Sequence, residues 1–562
     1  MTSFFIKNRS LPAEGFAELK KILRSEIEKH GGRISGRREG SLILSVGIDH
    51  RLAEDSFRIA PEGNRSYSVS ATSLINCFAA TGHFLRSGSF DREGNFTPPS
   101  SEISHRMKKP VRGIYLATHF YNYHHSSPAA EEERYIAEQA LRGFNSVMFC
   151  LAPQHYTSFT EPAALEMIER LKMQIRFSKK LGMSTAFVGF SNTGFSNYSK
   201  KYAAQIEPDG SGRYARPITA EFITEVCPST DGGMKEIERL EREFLSAFAG
   251  CDIDYLYIWP YDEGGCLCEK CYPWSTNGFM KTAELLKRLM KEYGMKTKPC
   301  ISTWHFGAQL DGEWDIFYKH LSTGEYDWAE YIMTCFQSGR VPGVIMKNGV
   351  PDGVKFVDFP EISMQNPASP WGGRGATPFP MYLDACEKNC GHLMQGGYLY
   401  SEGIYEDVNK FIVAGYYSGL YKSAPEALRA YAAYEFGIDD PVILCEFVNM
   451  CNLMEASHKY TATFREDAPS TFVPRYATPM YAEYDSMKII DQVIPASLKN
   501  GWKWRIFVIR ASIDRILLKT WSETGLFTLK DSPEAQKLLS ELDSIYYVSE
   551  KTKSCVLPPL GV

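Results

Sequence analysis

The sequence predicts an α/β fold: a (β/α)8 TIM barrel, preceded by a small N-terminal α+β domain and followed by a helical C-terminal domain. Three observations predict it. The chain has 562 residues, more than one ordinary core takes up, so two or three domains are expected. Between residues 110 and 414, eight short apolar runs alternate with longer segments, several of them of helical period. From residue 415 the strand signals fade and apolar residues recur at helical spacing.

In residues 1–100, "AEGFAELKKILRSEIEKHGG" has period 3.6, whereas "SLILSVGI", "DSFRIAP" and "RSYSVSA" alternate, and "LINCFAATGHFLRSG" is rich in small residues. These patterns predict antiparallel strands carrying helices on one face. The polar, Pro- and Ser-rich "DREGNFTPPSSEISHRMKKP" reads as a linker. The barrel strands are expected in "RGIYLATHF", "FNSVMFCLA", "MSTAFVGF", "IDYLYIWPYDE", "KPCISTWHF", "AEYIMTCF", "VKFVDFPEIS" and "HLMQGGYLYSE". A doubly wound open sheet is the alternative, but no Gly-rich fingerprint follows the first strand. In residues 415–562, "APEALRAYAAYEFG", "DPVILCEFVNMCNLMEASHKY" and "KWRIFVIRASIDRILLKTWSETG" read as helices whose aromatics form a core.

Hydrophobic content of 44% and charged content of 23% are those of a folded globular chain. A net charge of −5, with no basic block interleaved with aromatics, argues against nucleic acid. No run of about eighteen apolar residues suggests a membrane span, and the first residues lack the pattern of an export signal. A cytoplasmic protein is expected, with mostly reduced thiols among its 14 cysteines. A homo-oligomer is compatible with this composition.

Reactive residues of a barrel gather where the strands end at their C-terminal mouth. The expected ends are "THFYNYHH", "PQHY", "FSNTGF", "WPYDEGG", "TWHFG", "DFPEISM" and "YSEG". They are rich in aromatics, amides and carboxylates, as the wall of a carbohydrate pocket is: rings stack on sugar faces and polar groups hold hydroxyls. His119, Asn192, Trp304, His305, Glu361, Tyr400 and Glu402 are the expected substrate contacts, with Trp371 of "PWGGRG" as a ring cap. Glycoside cleavage needs a carboxylic acid that protonates the leaving oxygen and a second group acting at the anomeric centre. Asp262 and Glu263 are the expected catalytic pair, since close carboxyls in one pocket separate their pKa values.

"DYLYIWPYDEGGCLCEKC", with "EVCPST" before it and "YSEGIYEDVNK" after it, resembles bacterial proteins related to the family 20 and family 84 β-N-acetylhexosaminidases, including the DUF4838 (family 163) proteins. A small domain in front of a barrel is also similar to the layout of the family 67 α-glucuronidases. The resemblance implies substrate-assisted hydrolysis of β-linked N-acetylhexosaminides: Asp262 would orient the 2-acetamido group, whose oxygen attacks the anomeric carbon, and Glu263 would protonate the leaving group. Where that family has a His and two glycines before the pair, this sequence has Trp259, Pro260 and Tyr261. A retaining mechanism with Glu361 or Glu402 as nucleophile therefore stays open, as does a glucuronidase-type reaction with Arg112 or Arg374 clamping a carboxylate. A carbohydrate-binding protein without catalysis is the reading from another class.

Cys266, Cys268 and Cys271 form C-x-C-x-x-C, and three thiolates in so short a loop can chelate a borderline cation, zinc first. Cys227 is the expected fourth ligand. Four protein ligands would make the site structural, with no organic cofactor required.

Overall fold

A computed structural model describes residues 1–118, 122–214, 216–218, 224–262, 264–336, 340–362, 375–457, 478–524, 529 and 532–548. The N-terminal domain has strands β1 (Ser3–Asn8), β2 (Arg33–Ile34), β3 (Leu42–Ile48), β4 (Ser56–Gly63) and β5 (Ser66–Ala71), a ribbon of β6 (Ser89–Phe90) with β7 (Phe96–Thr97), and β8 (Ile103–Arg106). Six of them form one sheet in the order β2-β1-β3-β5-β4-β8. The sheet corrects the antiparallel expectation. β1 pairs in parallel with β2 and β3, and β3 with β5, whereas only β4 runs antiparallel to its neighbours.

The reason is connection length: the helix Ala13–Lys29 carries the chain back across the sheet, which a parallel pair requires and a hairpin does not. The expected linker is corrected as well, because β8 lies inside it and forms the sheet's edge. Apart from Ile103 its residues are polar, and Ser104 and Arg106 are exposed, as an edge strand allows.

The barrel follows. β9 (Val111–Leu116), β10 (Ser146–Phe149), β11 (Ser184–Phe190), β12 (Tyr255–Trp259), β13 (Lys298–Ser302), β14 (Ile332–Thr334), β15 (Phe356–Asp358) and β16 (Met394–Ser401) close in chain order through parallel pairs. Each falls within one of the eight expected runs, save that β9 starts one residue earlier. Alternation sorts their side chains. In β12, Tyr257 and Trp259 pack inside the barrel, while Leu256 and Ile258 join the outer core beneath the helices. The helix Asp407–Ser418 follows the eighth strand and packs on β9, so it belongs to the barrel although the expected boundary at 415 cut through it.

Beyond it come the helices Ala424–Phe436, Pro441–Ser457, Thr478–Val493, Ala496–Lys499, Trp502–Thr524 and Pro533–Ile545. The small domain docks through the helix Leu74–Ser87 on the barrel helix Ala129–Arg142. There a Cβ on Gly82 would stand 2.1 Å from the Leu141 carbonyl, so the close approach needs glycine. No described helix is long and apolar enough to cross a membrane.

Candidate active site

The fourth strand ends at Trp259, and the chain then turns sharply. Asp262 has φ 73°, in the left-handed region that Asp tolerates better than most residues, and this breaks the strand's alternation. Gly264 follows where a Cβ would press within 2.8 Å of both Asn192 Oδ1 and Ser191 Oγ, and Gly265 has φ 126°. The two glycines thus let the loop lie against the end of β11.

Aromatic rings line the barrel interior beside this turn. Trp259 and Trp304 lie 6.1 Å apart, Phe359 meets both edge-on at 5.1 and 5.3 Å, and Tyr115 stacks on Tyr400 at 5.5 Å. Two carboxyls sit with them. Burial pushes Asp262 up to about 6, an effect partly offset by the Trp304 indole, which faces it without forming a well-aligned hydrogen bond. Burial, with the Asp262 charge adding to it, pushes Glu361 up to about 7; its backbone bridges to Tyr400. Among the described residues no cation lowers either group.

The other expected contacts have varied surroundings. His305 (φ 59°) stacks on Trp304 at 4.6 Å, and burial lowers it to about 4, so its ring is neutral at physiological pH. Glu402 is buried and accepts a 2.8 Å hydrogen bond from the Tyr400 hydroxyl. Its backbone is held too: its N–H donates to Glu406 at 2.9 Å and its carbonyl accepts from the Tyr546 hydroxyl at 2.5 Å.

Asn192 differs from the expectation. Its amide donates to the carbonyls of Val226 and Gly265 at 2.9 Å each and accepts from the Gly265 N–H at 2.8 Å and from Ser191 Oγ at 3.0 Å. Its hydrogen-bonding capacity is used within the protein, where it joins two loops. Arg112 also departs from the expectation, because it lies at the opposite end of its strand. Its guanidinium bonds Asp55 at 2.7 Å and the carbonyls of Gly143 and Lys109 at 2.8 and 2.6 Å, so it docks the small domain and clamps no substrate carboxylate. Glu263, His119, Trp371 and Arg374 lie outside the described residues.

One carboxyl escaped the strand-end rule. Glu225 lies far along the loop after β11, where its backbone pairs with Thr193. It is 3% exposed, its Oε2 has no hydrogen-bond partner, and burial, with a smaller push from Asp262, raises it to about 7. In "EVCPST" the cysteine carries a sequence signal as a candidate metal ligand, whereas this glutamate carries none.

The four cysteines converge. The sulfurs of Cys227, Cys266, Cys268 and Cys271 all lie within 4.8 Å of one another and could hold a metal ion. None is in a disulfide. Hydrogen bonding with Cys266 brings the Cys227 thiol down to about 7, and that with Cys227 holds Cys268 well below the ordinary thiol range while raising Cys266 and Cys271.

No protein-family model and no curated protein matches this sequence. Solved structures do match. One is a family 138 glycoside hydrolase described as targeting pectin rhamnogalacturonan II, with 10% identity and a TM-score of 0.55 over 98% of this chain and 75% of that one. Another is the family 89 glycoside hydrolase from Clostridium perfringens in complex with 2-acetamido-1,2-dideoxynojirmycin, with 13% identity and a TM-score of 0.58 over 95% of this chain. A third is that enzyme's doubly substituted form with its substrate GlcNAc-alpha-1,4-galactose, at 12% identity and a TM-score of 0.57. This chain has their fold. It spans 64–65% of the length of the family 89 chains.

Proposed function

We propose that this chain is a glycoside hydrolase acting on N-acetylhexosaminides at the barrel mouth. The observation that carries the reading is the pair Asp262 and Glu361: two carboxyls among aromatic rings, beyond the ends of the fourth and seventh strands, with pKa values raised to about 6 and 7. Near neutral pH such a pair offers one ionised and one protonated member, as glycoside cleavage requires. The N-acetyl sugar mimic and the GlcNAc substrate in the family 89 structures support the sugar class.

In this reading Asp262, ionised, accepts the acetamido N–H and steers its carbonyl oxygen toward the anomeric carbon. A carboxylic acid gives its proton to the leaving oxygen. Two residues can fill that place: Glu263, next to Asp262 in sequence, and Glu361, which keeps its proton longer. An enzyme nucleophile is the second reading, favoured by the way Tyr400 holds the Glu402 carboxylate in a fixed position. The four thiols stand outside the chemistry, because a zinc ion bound by all of them has no position open for water.

The test is a panel of nitrophenyl glycosides, the α- and β-linked N-acetylglucosaminides and N-acetylgalactosaminides beside glucosides and glucuronides. Turnover confined to N-acetyl sugars supports the substrate-assisted route, whereas turnover of plain glucosides moves the nucleophile to Glu402 or Glu361. Silence on every substrate, small oligosaccharides included, overturns the hydrolase reading. Glu263→Gln and Glu361→Gln identify the donor: the true acid's variant loses activity on poor leaving groups and keeps it on activated ones.

A pH profile checks the carboxyl pair independently. kcat/KM is expected to be bell-shaped, rising as the pair loses its first proton near 6 and falling as it loses the second near 7. A flat profile between pH 5 and 8 would remove both groups from the reaction.

A further inference from the structure

The cysteine cluster lies where two loops meet, and those loops carry the mouth's carboxyls. Cys227 comes from the long loop after β11, two residues beyond Glu225, and Cys266, Cys268 and Cys271 come from the loop after β12 that begins with Asp262. A short backbone hydrogen bond joins the two, Leu267 N donating to the Gln205 carbonyl at 2.7 Å, and within the first loop Cys227 N donates to the Tyr202 carbonyl at 2.7 Å. Asn192 bridges the same loops from the end of β11. The loops that carry Glu225 and Asp262 are thus joined by one amide and four clustered sulfurs.

The sulfur geometry narrows what closes it. Cys227 Sγ lies 3.7 Å from that of Cys268 and 3.9 Å from that of Cys271. Four sulfurs each about 2.3 Å from a central zinc ion stand about 3.8 Å apart along the edges of a tetrahedron. A disulfide needs sulfurs at about 2.05 Å, so these two separations fit a shared metal ion and not a disulfide. Cys266 and Cys271 are fully buried and Cys227 is 2% exposed, while Cys268 is half-buried, so three of the four sulfurs have little water to solvate a thiolate in place of a cation. Ser229 Oγ lies 3.3 Å from Cys271 Sγ, a further polar contact of the kind that orients a metal ligand.

We propose that these four cysteines bind one structural zinc ion, and that this ion is a clamp holding the Glu225 loop against the Asp262 loop, so that metal loading sets the arrangement of the mouth as well as stability. The metal site stands on the sulfur geometry alone. Its effect on turnover rests on the hydrolase reading.

The experiment uses the full chain purified without chelator. Metal analysis is expected to find about one zinc per chain, with a several-fold loss in Cys268→Ser and in Cys271→Ser, and an unfolding temperature lower by several degrees in each. Cobalt replacement in the unaltered protein is expected to give the intense thiolate-to-cobalt charge-transfer absorption of a sulfur-only site, which requires no variant to fold. For the clamp, Cys268→Ser assayed below its unfolding temperature should lower kcat while KM changes little, with partial recovery in Cys268→His, which restores a ligand.

A metal-free native protein without the cobalt bands overturns the site. A folded, metal-poor variant with unchanged kcat overturns the clamp and leaves the site standing. A wild type that hydrolyses nothing while holding one zinc overturns the hydrolase reading and the clamp's effect on turnover together, and leaves the metal site standing.

Discussion

Replacing Asp262 with Asn is expected to lower kcat/KM by about 10²–10⁴-fold, with the unfolding temperature unchanged or slightly raised. Asn is the informative substitution because it tolerates the left-handed backbone that Asp262 adopts at φ 73°, so the turn survives and only the charge is lost. Alanine would add backbone strain to the lost chemistry. Burial already destabilises this carboxylate, raising it from an ordinary 3.8 to about 6. A group whose folded pKa is raised opposes folding as pH climbs through that window, so removing its charge costs the fold nothing. The same substitution should bring Glu361 closer to its ordinary value, since part of its rise comes from the Asp262 charge. A pH–rate or carboxyl titration shows this directly. Wild-type kcat in Asp262→Asn would place the chemistry elsewhere.

Arg142→Ala is expected to be the most destabilising single change, by about 3–5 kcal/mol in chemical denaturation, because it removes one partner of a buried ion network. Arg142 is 3% exposed and bonds Asp407 at 2.8 Å, Glu138 at 2.8 Å and Glu435 at 3.3 Å. Lys29 of the first helix reaches the same Glu435 at 2.9 Å, and Lys503 reaches it at 2.8 Å. All three parts of the chain meet in this cluster. Arg142→Lys keeps the charge but not the planar fork and should cost less.

Burial alone would push Asp407 and Glu435 upward. The surrounding cations together outweigh it, Arg142 contributing most for Asp407 and Lys29 for Glu435, and both carboxyls are held well below their ordinary 3.8 and 4.5. Groups lowered in this way stabilise the fold above their unfolded pKa values, and the contribution is lost as pH falls below about 4. Wild-type stability should drop on acidification, and Arg142→Ala should flatten that drop. An equally steep fall in the variant would show that other carboxylates govern acid unfolding.

The barrel was readable because each strand is a short, near-continuous apolar run, as strands buried on both faces are, and because helix-period segments separate the early ones. The N-terminal sheet was readable in content but not in pairing. "SLILSVGI" and "RSYSVSA" alternate equally well in either direction, and the crossover that makes β3 and β5 parallel neighbours leaves no mark within a strand. β8 escaped because "ISHR", at an edge, has no need of an apolar face. At the mouth, position after a strand pointed to Asp262, Glu361 and Glu402. Glu225 follows no strand closely, and only the bridge to Thr193 brings it there. Tyr546, which holds the Glu402 carbonyl, comes from the far end of the chain.

What the amino-acid sequence by itself determined was local: the eight strands, the helices, the carboxyl at the fourth strand's end and the C-x-C-x-x-C spacing. Each follows from side-chain periodicity or from ligands a few residues apart. What only the tertiary structure decided was which distant groups share a space: Glu225 pairing with Thr193 far from it in sequence, Asn192 spent on two loops rather than on substrate, and Arg112 directed toward the small domain. Such pairings depend on how long loops fold back in three dimensions, and the free energy that selects them is spread over many contacts that no short stretch of sequence contains.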